Sequence, residues 1–212
     1  MNWLRGYFSG CAVHIIAGGA SLYGFDMSQF NGKRVIAVNH SHKYVSHDFF
    51  VFRDANYTNN ESPESKMGRY VCPRGAFPSG ESSRLFRLST EFNKNTLGHV
   101  YGSNSGMCAL TIALQGGAEA VYLWGFDCDV LPLAVLQDIA NENGTTYPFD
   151  FPIAHWTHGH VKHSRNDADP LIVRVDDYSA FNGHPVFNVS NHSRIPYFPK
   201  VTPEDALEAI LI

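Results

Sequence analysis

The stretch Cys11-Ala12-Val13-His14-Ile15-Ile16-Ala17-Gly18-Gly19-Ala20-Ser21 is apolar almost without interruption and then stops in small residues. A strand with one wet face alternates apolar and polar residues, whereas a strand covered on both faces does not. This run therefore predicts a central strand of a parallel sheet entering a turn. Two runs downstream repeat the pattern: Arg34-Val35-Ile36-Ala37-Val38 ends at Asn39, and Asp48-Phe49-Phe50-Val51-Phe52 ends at Arg53-Asp54. Ser105 then caps a predicted helix with Met107, Leu110, Ala113 and Leu114 at helical spacing, and Gly116-Gly117 supplies its left-handed stop. That helix leads into Val121-Tyr122-Leu123-Trp124 and the turn Gly125-Phe126-Asp127. Pro185-Val186-Phe187-Asn188-Val189 reads as a later strand, and Thr202 caps a last helix with Pro203 at its first position.

Strands alternating with helices predict an α/β fold, Rossmann-like, with a mostly parallel sheet, helices on both faces and long loops over the C-terminal edge. Ligands of such sheets bind beyond the carboxyl ends of the strands. Ser21, Asn39, Asp54 and Asp127 stand at such ends, so they are candidates for one shared crevice. Residues 1–212 are expected to form a single nucleotide-binding domain. Two stretches stand apart from the alternation. Residues 56–95 are rich in Ser, Pro, Gly and Asn, with a helix expected only around Ser82 to Phe92. Residues 129–169 hold Pro, Gly and four histidines. Both are expected to be lid or substrate-loop insertions over the ligand edge.

Composition narrows the function classes. The chain has 212 residues, 44% of them hydrophobic and 17% charged, enough apolar content for a core and too few charges for a disordered chain. Its 16 Lys and Arg against 20 Asp and Glu give a net charge of −4, and no basic run offers a nucleic-acid footprint. The uncharged stretch from Asn95 to Ala118 carries too many polar residues and glycines to span a bilayer. Met1 to Ser9 lack the sustained apolar core of a cleaved signal peptide. Cys11, Cys72, Cys108 and Cys128 form no Cys-x-x-Cys pair and read as reduced thiols. A cytoplasmic protein is expected. A homo-oligomer stays open.

The chemistry is carried by a few positions. Small residues at Gly18, Gly19, Ala20 and Ser21 let backbone N–H groups approach a phosphate or a ribose; a tight turn without a ligand is the competing reading. The loop is neither Gly-x-Gly-x-x-Gly nor a Walker sequence, and Asn39 stands where a dinucleotide fold carries an acid, which disfavours NAD and P-loop chemistry. His155, His158, His160 and His163 fall within nine residues. Their spacing fits no zinc motif, so they are idle surface groups, metal ligands of an unfamiliar pattern, or a set that includes a general base. Ser105, outside any Gly-x-Ser-x-Gly elbow, either assists anion binding at its helix N-terminus or only caps it.

In order along the chain, several segments resemble the bacterial sialyltransferases that use CMP-sialic acid. Ile15-Ile16-Ala17-Gly18-Gly19-Ala20-Ser21-Leu22 is similar to that family's Gly-Asn-Gly-Pro-Ser-Leu loop. Ser105-Gly106-Met107 and Tyr122-Leu123-Trp124-Gly125-Phe126-Asp127 resemble its Ser-Gly helix and its Tyr-Leu-x-Gly-Ile-Asp strand. Tyr147-Pro148-Phe149-Asp150, His163-Ser164-Arg165-Asn166 and Asn188-Val189-Ser190-Asn191 resemble its Tyr-x-Phe-Asp, His-Ser-Lys-Asn and closing Asn-Ser segments. The resemblance implies inverting, metal-independent transfer of a sialic-acid-like sugar from a CMP-sugar to a glycan or small-molecule acceptor, with no cofactor. It implies His163 as the base and Tyr147 as a donor to the departing phosphate. Gly18, Gly19, Ser21, Asn39, Asp54, Ser105 and Asp127 would surround the nucleotide and its sugar. The loop is one residue shorter than the family's, and Asp129 stands near where the family has a second phosphate-binding tyrosine. The Gly-rich opening, the Ser-Gly helix and the Gly-Phe-Asp strand are shared with 6-hydroxymethylpterin diphosphokinase-like proteins, some phage-borne. These imply one alternative, a magnesium-dependent diphosphotransferase using Asp54, Asp127 and Asp129; the shortened loop and Asp129 imply another, a nucleotide-binding protein without catalysis.

Overall fold

The computed structural model describes residues 4–52, 69–73, 84–89, 91–97, 99–102, 104–129, 131–148 and 175–209. Within these, eight parallel strands form one sheet: β1 (Ala12–Ile16), β2 (Arg34–Val38), β3 (Phe49–Val51), β4 (Arg69–Pro73), β5 (Arg84–Ser89), β6 (His99–Tyr101), β7 (Ala120–Trp124) and β8 (Val186–Asn188). Their order is β6-β5-β4-β3-β2-β1-β7-β8. The α/β fold expected from the alternation is present. Successive strands step away from β1 as far as β6, and the chain then returns to the other side of β1 as β7. The return is made by helix α1 (Ser105–Gln115), which crosses the sheet and packs on β6, β3, β2, β1 and β7. The strand order thus reverses between β1 and β7, the place beside which open parallel sheets bind their ligands. The register pairs Val13 with Val121 and Ile15 with Leu123.

All eleven residues of α1 are buried, which explains why its sequence is apolar on every side. The sheet lies under one flank, with Val13, Ile15, Ile36, Val38, Val121 and Leu123 in the same cluster, while Phe8, Tyr178 and Phe181 close the other. Phe8 N–H donates to the Gly116 carbonyl at 2.9 Å, and a Cβ on Gly116 would lie 2.5 Å from the Phe8 ring. The left-handed stop belongs to Gly117, at φ +86°. The opposite face of the sheet packs Ile16, Val35, Ala37 and Trp124 against Phe30 and against Ala206 of the terminal helix α3 (Pro203–Glu208). A third, smaller cluster joins Ala20 and Tyr147 to Leu136, Ile139 and Ala140 of α2 (Leu133–Glu142).

One polar group sits inside the second layer. His14, 2% exposed, accepts a hydrogen bond from the Trp124 indole Nε1–H at 3.1 Å and stacks on Tyr122. Accepting at Nδ1 requires the neutral ring with its proton on Nε2. Burial, reinforced by repulsion from Lys33, lowers the pKa of this histidine to about 3.

The structure corrects three expectations. The helix expected around Ser82 to Phe92 is strand β5 over Arg84–Ser89, because pairing with β4 and β6 overrides a run with apolar residues at ambiguous spacing. Two strands of the 56–95 stretch, β4 and β5, therefore extend the sheet. The side chain that caps α1 is Asn104, whose Oδ1 accepts from Met107 N–H at 3.0 Å, rather than Ser105. Strand β6 and helix α2 were not expected at all. Thr202 caps α3 as expected, accepting from Asp205 N–H at 3.1 Å. No helix among the described residues is long and apolar enough to cross a membrane.

Candidate functional site

The carboxyl ends of the strands bring together segments far apart in sequence. After β1 the chain turns through Gly18 and Gly19 into a short 3-10 turn at Ala20–Leu22. After β7 it turns through Gly125, at φ +68°. The two loops lock: Ala17 N–H donates to the Trp124 carbonyl at 2.8 Å, and Gly19 N–H to the Gly125 carbonyl at 2.8 Å. A Cβ on Gly19 would stand 2.3 Å from the Gly125 carbonyl oxygen and 2.7 Å from Asp127 Oδ2. Gly19 has an ordinary φ of −62°, so this position needs glycine for loop-to-loop contact rather than for backbone freedom.

Asp127 completes the lock. Its carboxylate is 1% exposed and accepts three hydrogen bonds: from Ser21 N–H at 2.8 Å, from Ser21 Oγ–H at 2.5 Å and from Ser190 Oγ–H at 2.8 Å. Burying a carboxylate is costly unless donors replace the lost water, and charge-assisted bonds of this kind are the strong ones. Asp127 thus ties the loops after β1, β7 and β8 into one rim. Its backbone carbonyl also accepts from Arg194 N–H at 3.0 Å, and the Arg194 guanidinium pairs with Asp129 at 2.8 Å. The acidic side chain beside the crevice is therefore matched by a cation. Sequence reasoning named neither Ser190 nor Arg194 as a site residue.

The remaining candidates lie along the same edge. Asn39, the first residue after β2, has φ +53°, a left-handed conformation that asparagine tolerates better than most residues. Its turn is held to β1 by Ser41, whose hydroxyl donates to the Ile16 carbonyl at 2.6 Å. Asn39 Oδ1 is buried and has no partner among the described residues. At the N-terminus of α1, Gly106 lies against Phe126; a Cβ there would be 2.6 Å from the ring, so the helix start abuts the β7 loop. Ser105 is buried. Asn104 Oδ1 accepts from the Tyr178 hydroxyl at 3.3 Å as well as from the helix, while its Nδ2 is buried without a partner among the described residues. Burial pushes the Tyr178 phenol well above its ordinary pKa, so it stays a donor. Cys128 is the second non-glycine residue with positive φ among the described residues, at +56°; burial and the flanking carboxylates push its thiol up to about 12.

Tyr147, 7% exposed, shares the small cluster with Ala20 of the first loop and meets Tyr23 edge to face at 5.1 Å. The structure thus brings Tyr147 to the Gly18–Ser21 loop across more than half the chain. His163, Asp54 and the other clustered histidines lie outside the described residues. Among the described residues no group of three His, Cys, Asp or Glu side chains is placed to hold a metal ion.

Next to the locked loops opens a cavity of about 630 Å3. Ser21, Gly125 and Ser190 form its inner wall, Phe25 its aromatic side, and the far wall comes from the end of α2 and from α3.

No protein-family model matches the chain, and no curated protein does. Among solved structures it is similar to the MAf glycosyltransferase from Magnetospirillum magneticum AMB-1, at 15% identity and a TM-score of 0.47. The match covers 92% of this chain and 34% of that one, so the chain spans about a third of that protein's length.

Proposed function

We propose that the chain is a glycosyltransferase that moves a sialic-acid-like sugar from a CMP-sugar to an acceptor hydroxyl with inversion. The observation that carries this reading is the rim at the strand-order reversal: the loop Gly18 to Ser21, fixed by Asp127, with Tyr147 packed against its Ala20. Of the resembling segments, the Gly18–Ser21 loop, Asp127, Tyr147 and Ser190 are in contact there. Two buried polar atoms on the same edge, Asn39 Oδ1 and Asn104 Nδ2, lack partners among the described residues, and a cytosine amino group or a ribose hydroxyl would supply them.

In this reading Gly18, Gly19, Ser21, Asn39 and Ser105 surround the nucleotide. The acceptor oxygen attacks the anomeric carbon as the bond from that carbon to the phosphate oxygen breaks. CMP leaves with the electron pair and the acceptor proton passes to His163. The Tyr147 phenol stabilises the phosphate charge as it develops, an effect that works best where water is excluded. Asp127 acts by positioning the loops. Arg194 offers a charge at the rim that offsets Asp129.

Thermal shift with CMP, CDP, UMP, UDP, GDP and ATP, each with and without magnesium, tests the proposal, because a ligand bound only by the native state raises its stability. CMP alone should raise the Tm, and His163→Ala should bind CMP while losing transfer. A response to ATP and magnesium only would favour the diphosphotransferase instead. That alternative draws on Asp127 and Asp129, which here accept three donors and pair with Arg194 respectively. Binding without turnover of any CMP-sugar would leave a nucleotide-binding protein.

A further inference from the structure

The turn after β2 is braced on two sides. Asn39 to Lys43 form a 3-10 turn at the carboxyl end of that strand, and Asn39 opens it at φ +53°. Asparagine tolerates such a left-handed backbone but does not impose it, so the surroundings must. Ser41, fully buried, ties the turn to β1 through the Ile16 carbonyl. His42 ties it to the neighbour on the other side: its ring, 4% exposed, stacks on Phe50 of β3 with centroids 3.9 Å apart. The same ring reaches back along the chain, where its Nδ1 lies 2.6 Å from the Asn39 carbonyl oxygen. A carbonyl can only accept, so Nδ1 carries the proton whether the ring is neutral or charged.

The residue that His42 holds has an unmet bond of its own. Asn39 Oδ1 is buried without a partner among the described residues. Where that oxygen sits follows from the Asn39 backbone, because so short a side chain cannot make good a shifted Cα. Releasing the carbonyl would let the backbone leave the left-handed region, and a ligand that donates to Oδ1 would then bind only the fraction of molecules still in place. We propose that His42 is a positioning residue of the nucleotide site: through the Asn39 carbonyl it fixes the Asn39 carboxamide before a nucleotide arrives. The inference rests on reading this edge as a nucleotide site, though not on which nucleotide it takes.

Two replacements separate the ring from its donor. His42→Asn keeps a side-chain N–H in the place of Nδ1 and gives up the ring on Phe50, whereas His42→Phe keeps the ring and gives up the donor. Both are titrated calorimetrically at pH 7 with CMP, and with ATP and magnesium. The asparagine variant should bind within about threefold of the parent and the phenylalanine variant roughly tenfold more weakly, the scale of one hydrogen bond. A histidine that only supported the fold would instead make affinity follow the Tm of the variants. Asn39→Gly, which accepts the same backbone and lacks the carboxamide, should bind weakly and respond no further to His42→Phe, because the two residues act as one unit. In the parent, where no variant has to fold, the His42 Nδ1–H signal in NMR should be protected from solvent exchange with and without nucleotide. An unaffected phenylalanine variant, an asparagine variant as weak as the phenylalanine one, or an Nδ1–H protected only when nucleotide is bound would overturn the inference and leave the CMP reading standing. The same pattern with ATP and magnesium in a protein that ignores CMP would sustain His42 and defeat the CMP-sugar reading. Binding of neither nucleotide would overturn both.

Discussion

Replacing Asp127 separates its charge from its geometry. In Asp127→Ala three donors lose their acceptor together: Ser21 N–H, Ser21 Oγ–H and Ser190 Oγ–H, at a site 1% exposed. An orphaned buried donor costs about 1–3 kcal/mol, but the two hydroxyls can rotate toward other acceptors and the buried charge itself disappears. The expected net loss is about 3–5 kcal/mol, led by the backbone N–H, which cannot rotate away. Asp127→Asn is different. An amide oxygen can keep the bond from Ser21 N–H while its NH2 group donates to the two serine oxygens, which accept as readily as they donate. Only the charge assistance is lost, and the loss should be about 1–2 kcal/mol.

Thermal and urea unfolding of the three proteins measure this directly. At roughly 2–4 °C per kcal/mol for a chain of this size, the Tm should fall by about 2–8 °C for asparagine and about 6–20 °C for alanine. The m-value should not change, because the native fold persists. If alanine were as stable as the parent, or asparagine as damaging as alanine, the hydrogen-bond account of this rim would be wrong.

Three further perturbations probe the same architecture. His14 has a folded-state pKa of about 3 against 6.5 unfolded, so its contribution is complete above pH 6.5 and is lost as pH falls toward 3, by up to about 4–5 kcal/mol; His14→Gln, which keeps an acceptor for Trp124, should flatten that part of the stability-pH curve, and an unchanged slope would refute the assignment. Gly19→Ala should destabilise by about 1–3 kcal/mol through overlap with the Gly125 carbonyl, whereas Gly32→Ala, at φ +80° with open space around the added Cβ, should cost only about 1 kcal/mol; equal losses in urea melts would sink the packing argument. Arg194→Ala should alter stability by less than about 1 kcal/mol, because its pair with Asp129 is exposed, yet weaken CMP binding measured by titration; unchanged affinity would take Arg194 out of the site.

What the sequence disclosed follows from how each element is buried. Strands β1, β2, β3, β7 and β8 are covered on both faces, so unbroken apolar runs announce them. Strand β5 reads Arg84-Leu85-Phe86-Arg87-Leu88-Ser89, with charges three apart, a spacing that suits a helix as well; its strand state is set by β4 and β6, partners that no local window contains. Strand β6 has three residues, too few for any period to register. Helix α2 does carry a signal, Leu136, Ile139 and Ala140 buried along one face, but it lies within a stretch whose prolines, glycines and histidines point to a loop. At the site, strand ends could be listed from sequence, and Ser21, Asn39 and Asp127 do gather at one edge.

Asp127 shows where such reading stops. An acid at the end of a parallel strand looks the same in sequence whether it contacts a ligand or holds the walls of a ligand site. The difference lies in what the opposite loops present, and here those are two serines, 106 and 63 residues away in the chain. Because Asp127 is 1% exposed and turned to three donors of the loops, it holds those loops rather than facing the crevice. The nearby Asp129 is matched by Arg194, whereas Glu142, Glu204 and Glu208 line the cavity on the other side of the rim. The two acids at the rim are thus each engaged, Asp127 by three neutral donors and Asp129 by a cation, while the orphaned amide atoms of Asn39 and Asn104 are left for a ligand.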